Sequence, residues 1–194
     1  MLVLILGLTL FLGVHSVRIY ADDWRNAQFV RLGEPRWKGL YSLVSLVGFV
    51  AIIWGYGEAR LTPTVLWATP KALMHLAGLL TLATFILLVA AYVPGNPIKA
   101  AVKHPMVLGV KIWALAHLLA NNTVADLVLF GSFLIWAVLD YRSSRQRDAR
   151  LAGTAPQAAS SGTRGALMTV VVGTALWGLF FVWGHQFLIG VRPY

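Results

Sequence analysis

"KIWALAHLLANNTVADLVLFGSFLIWAVLDYR", residues 111–142, reads either as one long apolar helix or as two short ones, and the number of membrane spans turns on that choice. Uncharged runs of 14 residues (112–125) and 13 residues (127–139) are separated only by Asp126. Asn121-Asn122-Thr123 favours a break, because Asn and Thr side chains compete for backbone hydrogen bonds and so suit helix ends and turns. Thr123 followed three residues later by Asp126 has capping-box spacing, in which side chains at a helix start bond the N–H groups left free by the first turn.

Charge decides between the two. Lys and Arg number five in 18–38, two in 55–72, three in 94–111, none in 120–125, five in 142–164 and one at the C-terminus. Six spans collect thirteen of these cations on one side and three on the other, whereas five spans give nine against seven. Short cytoplasmic loops accumulate Lys and Arg, so six spans are expected. They lie near 1–17, 39–57, 72–93, 105–120, 124–141 and 168–190. The expected fold is an all-α polytopic membrane domain covering 1–194, with both termini away from the cytoplasm.

The rest of the chain agrees with that class. It has 194 residues, 58% hydrophobic and only 12% charged, and a mean hydropathy of +0.72. Soluble domains carry about 25% charged residues. Uncharged runs of 17, 19, 27 and 27 residues precede Arg18, Glu58, Lys99 and Arg192. About 18 apolar residues suffice to cross the hydrocarbon core. No charged stretch precedes the first run, so it reads as a retained span and not a cleaved leader. Pro94-Gly95-Asn96-Pro97 ends the third helix, since proline cannot continue the hydrogen-bond ladder. Pro105 suits the first position of the fourth. Residues 142–165 read as a cytoplasmic linker, small and polar over 151–164.

Net charge of +9 is explained by the loops, and no basic face with interleaved aromatics points to nucleic acid. The absence of cysteine excludes disulfides, thiolate ligands, iron–sulfur clusters and covalently attached c-type haem. The expected partner is the lipid bilayer, with a small lipophilic or nitrogen-oxide ligand as a further candidate.

Ionisable residues inside spans are functional candidates. His15 lies near the basic end of the first span, His104 at the mouth of the fourth, and His75, His117 and His185 towards the outer ends of the third, fourth and sixth. A single such histidine is commonly just a hydrogen bond across helices. Three at similar depth are harder to explain that way, and neutral imidazole is a good ligand for iron, copper or zinc. Haem b held by two histidines suits an apolar pocket best. Trp113 and His117, four apart, share a helix face, where Trp113 is either a haem wall or core packing. His104, between Lys103 and Pro105, is expected to be a cap or interfacial group and not a ligand.

His15-Ser16, "HPMVLGVKIWALAHLLAN" (104–121), "LFGSF" (129–133) and "HQFLIGV" (185–191) together resemble the NnrU family of membrane proteins. That resemblance implies a bacterial inner-membrane location and a link to nitrite and nitric-oxide metabolism, that is, denitrification. The family is similar in turn to the plant zeta-carotene isomerases, which implies a b-type haem on His15 and His117 and an isomerase-like or redox activity. Where the plant enzymes carry a cysteine three residues before the second histidine, this chain has Ala114. Lys103-His104-Pro105 is also similar to the Arg-His-Pro motif of membrane methyltransferases, but "DYRSSRQRDAR" lacks their paired glutamates.

The pairing of His15 with His117 conflicts with depth. At about 1.5 Å per residue, His15 is roughly 4–5 Å inside Arg18, whereas His117 lies roughly 9 Å beyond Lys111. By depth alone, His75 or His185 is the easier partner.

Overall fold

A computed structural model describes residues 1–151 and 162–193. Helix α1 spans Leu2–Tyr20, α2 Asp22–Leu32, α3 Glu34–Ala59, α4 Lys71–Tyr92 and α5 Pro97–Val102. Next come α6 at Pro105–Ala120, α7 at Val124–Leu151 and α8 at Thr163–Leu179. A π-helical segment, Phe180–Gly184, then leads into α9, His185–Ile189. Among the described residues five helices are long and apolar enough to cross a membrane, with α6 a shorter sixth. The protein is all-α.

The break proposed at Asn121-Asn122-Thr123 is present, and its capping box is formed. Thr123 donates to Asp126 Oδ2 through its backbone N–H at 2.9 Å and its hydroxyl at 2.6 Å, and the Asp126 N–H returns to Thr123 Oγ1 at 3.2 Å. The turn is also stitched to the α3–α4 loop. Leu66 N–H donates to Asn122 O at 2.8 Å, Val124 N–H to Thr64 O at 3.0 Å, and the Asn122 side chain to Trp67 O at 2.7 Å. At 16 residues α6 is only about 24 Å long, against about 30 Å of hydrocarbon, so irregular backbone follows at shallow depth. Such backbone is tolerated near lipid where protein satisfies its polar groups, and this loop does so.

Two groups of spans share the bundle. Helices α1, α3 and α7 pack together, α4 packs with α6 and α8, and the α6–α7 contact joins the groups. Without a hydrophobic driving force between helices in lipid, close approach must come from small residues. A Cβ on Gly7 would stand 2.6 Å from Ile52 N, one on Gly48 2.7 Å from Phe11 N, and one on Gly55 would overlap Leu4 N. Backbone thus meets backbone along the whole α1–α3 seam. Gly173 does the same against Ile86 on α4. Gly131 and Gly178 instead face open space.

Two regions depart from the sequence expectation. The 18–38 segment contains α2, whose first residue, Asp22, lies 4.0 Å from Arg18 at the end of α1. Residues 142–151, expected as linker, continue α7. Their side chains suit a helix: Arg147 bonds Ser143 and Ser144 within its own turn, each at 2.7 Å, and Arg145 lies 3.8 Å from Asp148. The remainder of the expected linker, 152–161, lies outside the described residues.

Candidate functional site

His117 sits in the last turn of α6, in the groove that α6 makes with α7. Its Nδ1 lies 2.9 Å from Trp113 O. A carbonyl only accepts, so Nδ1 carries the proton and Nε2 keeps its lone pair. The ring stacks on Phe130 at 4.6 Å and tilts against Trp113 at 5.1 Å. Asp126 and His185 are within electrostatic reach of it.

His15 repeats this local geometry near the opposite end of the bundle. Its Nδ1 donates to Phe11 O at 2.6 Å, and its ring stacks on Phe11 at 4.2 Å. Tyr41 lies at 5.2 Å, and Trp136 meets it edge-on at 6.0 Å. Asp140 is within electrostatic reach. His185 is the third of the kind, with Nδ1 donating to Val191 O at 2.7 Å. It follows the π-helical segment directly, and the extra residue of such a turn rotates the side chains after it relative to a regular helix.

The remaining histidines differ. His104 Nε2 lies 2.9 Å from Asp148 Oδ2, so the side chain reaches across to α7 and makes no cap bond on α6. His75 is exposed on α4, and no hydrogen bond to it occurs among the described residues. Lys111 Nζ lies 5.9 Å over the Tyr141 ring, its charge directed towards the basic end.

His15 and His117 are not brought together. His117 is level with Phe130 and His15 with Trp136, six residues further along α7. The imidazoles therefore stand about 9 Å apart along the bundle axis. Two imidazoles sharing one metal need nitrogens about 4 Å apart, at about 2 Å per bond. The space between is filled by an aromatic column. From His15 it runs to Phe11 at 4.2 Å, on to Phe133 at 5.9 Å, to Trp113 at 5.5 Å, and to His117 at 5.1 Å. Trp113 is thus a wall of this column, which stands between His15 and His117. His185 also presents Nε2 and is within electrostatic reach of His117. Ala114, where the isomerases carry cysteine, is fully buried at 0% exposure. Among the described residues no group of three or more His, Asp or Glu is placed to hold a metal ion without a porphyrin.

Several polar residues had not been singled out from sequence. Tyr56 on α3 donates to Asp126 Oδ1 at 2.5 Å across 70 residues of chain. Asp140 lies half-buried near His15, and Trp136 Nε1 is buried with no partner among the described residues. Asp126 had been read as a helix cap, and Asp140 carried a like signal as a lone carboxylate bounding an apolar run, whereas Tyr56 carries none.

The family model described as NnrU protein matches residues 3–193. Neither the curated proteins nor the solved structures offer a match. With an all-α membrane fold and a match over nearly its whole length, the chain belongs to the NnrU family.

Proposed function

We propose that this membrane protein binds haem b through His117, with His185 as the second axial ligand, and serves nitrite and nitric-oxide metabolism in the bacterial inner membrane. The observation that supports it is the locked tautomer of both imidazoles, each with Nδ1–H on a backbone carbonyl and Nε2 free. A carbonyl on the distal nitrogen orients a ligating imidazole and raises its basicity. Phe130 and Trp113 exclude water from one side of His117 and restrict its rotation. Bound haem, with both axial positions taken by imidazole, would supply an iron able to exchange electrons. His15, walled off by the aromatic column, has a structural role in this reading.

The visible spectrum of protein purified from haem-replete cells tests it. A Soret band with a low-spin, six-coordinate signature is expected, kept in His15→Ala and His75→Ala and lost in His117→Ala and His185→Ala. Loss in His15→Ala with retention in His185→Ala would restore the pairing that the family resemblance implies. A folded wild-type protein with no Soret band would leave an accessory membrane protein with structural histidines.

A further inference from the structure

The seam between α1 and α7 carries two cavities, one above the other. The first is an apolar groove of about 370 Å³ lined by Ile5, Leu12 and Gly13 of α1 and Val128 and Ser132 of α7, among others. The second, of about 130 Å³, is lined by Arg18 and Ile19 of α1, by Asp22 at the start of α2, and by Ser143, Arg147 and Arg150 of α7. They continue one another. Residues 5, 9, 12, 16 and 19 of α1 step by four and three, so they form one stripe, and the two helices run in the same direction. From Ile5 to Ser16 the groove is about 16 Å long, matching one leaflet of a hydrocarbon core about 30 Å thick.

The cationic end is prepared for an anion. Arg147 is held by Ser143 Oγ and Ser144 Oγ, each at 2.7 Å, and by Arg18 O at 3.4 Å. All three hydrogen-bond partners are neutral, and Asp140 acts on its charge at longer range. Asp22 is 4.0 Å from Arg18 in a solvent-exposed pair, which offsets little. Three guanidiniums against Asp22 and the longer-range Asp140 leave a surplus of one positive charge beside an apolar groove. Arg guanidinium matches phosphate oxygens in bidentate geometry. Basic pockets between spans at the headgroup level are where anionic lipids bind.

We propose that this seam binds an anionic phospholipid of the leaflet facing the basic loops, with its phosphate on Arg18 and Arg147 and one acyl chain in the groove. A free phosphate would use the arginines but leave the groove without a role. An added Cβ at Gly13 meets nothing within 4 Å, so the groove is open there and can be filled without disturbing the helix contacts.

Native mass spectrometry of detergent-purified protein, titrated with phosphatidylglycerol or phosphatidylcholine of matched chains, tests the site. Phosphatidylglycerol should bind about tenfold more tightly than phosphatidylcholine, and Arg18→Gln/Arg147→Gln should erase that preference. Gly13→Leu should weaken both lipids, and the exposed Arg150→Gln serves as a milder charge variant should the double substitution not fold. Equal binding of both lipids by wild type would overturn the proposal, as would an unchanged preference in the folded arginine variants. Displacement of phosphatidylglycerol by millimolar inorganic phosphate, with Gly13→Leu behaving as wild type, would assign the pocket to a free anion instead and also overturn it.

Discussion

Asp126 and Asp140 lie fourteen residues apart on α7, hence on nearly the same face of one helix, yet their surroundings are opposite in kind. Asp126 is buried at 6% exposure and accepts from Tyr56, from the Thr123 hydroxyl and from the Thr123 N–H. Asp140 is half-buried, and among the described residues no hydrogen bond or ion pair reaches it. Its balance comes from charges at longer range, Arg147 first, then His104, Arg18 and His15. A carboxylate taken out of water must be hydrogen-bonded or it is costly. The Asp126 end is thus closed and supports the fold, while the Asp140 end keeps unused bonding capacity, as the Trp136 indole, without a partner among the described residues, also shows. The closed end holds the helices together, and the open end carries the arginine-lined pocket.

The largest effect that bears on this contrast is all-or-none. If the Asp140 end faces the cytoplasm, a topology reporter fused after Ser144 should report cytoplasm and one fused after Tyr194 the opposite side. Both fusions on the same side would remove the last span, and a Ser144 fusion reporting the outside would invert which end meets the cytosol.

Next in size is the loss of the closed end. Asp126→Ala strands the Tyr56 hydroxyl and the Thr123 N–H and hydroxyl, and should cost about 2–4 kcal/mol. Unfolding of detergent-solubilised protein, by heat or by denaturant, measures it. Tyr56→Phe removes one partner and should cost about 1 kcal/mol. Asp140→Asn breaks no hydrogen bond, and should change stability by less than about 1 kcal/mol in either direction. Equal losses in Asp126→Ala and Asp140→Asn would erase the distinction between the ends.

Asp126 also shows how much could be read in advance. Its role at the start of a helix was legible, because a capping box is local, and so was the span count, because Lys and Arg sort by loop. Tyr56 was not legible as its partner, since a tyrosine near the end of an apolar run reads equally well as an interfacial aromatic. The helical stretch 142–151 was missed for the opposite reason: its polarity argued against a span, and polarity was taken for absence of helix. Gly131 and Gly178 face open space whereas Gly7 is a contact point, and sequence does not separate them because a glycine's value depends on the helix facing it. The histidines were identifiable as a set from their apolar company. Their pairing was not, because the aromatic column of Phe11, Phe133 and Trp113 forms between helices that are distant in sequence.

The smallest expected effect concerns the tie between His104 and Asp148, which joins the mouth of α6 to the extension of α7. Both side chains are 28% exposed, so the pair is partly screened by solvent and should contribute no more than about 1 kcal/mol. His104→Ala leaves Asp148 with Arg145 at 3.8 Å, so the carboxylate is not stranded. His104 also uses Nε2, the nitrogen that His15, His117 and His185 leave free, so it is not prepared to ligate a metal. His104→Ala protein should therefore keep its haem spectrum and lower the unfolding midpoint only slightly. Proteolysis should be the more sensitive readout, with cleavage near Arg145 and Arg150 accelerated as the α7 extension frays from α6. A folded His104→Ala variant that loses bound haem would place a ligand at the open end, and would overturn the assignment of His117 and His185.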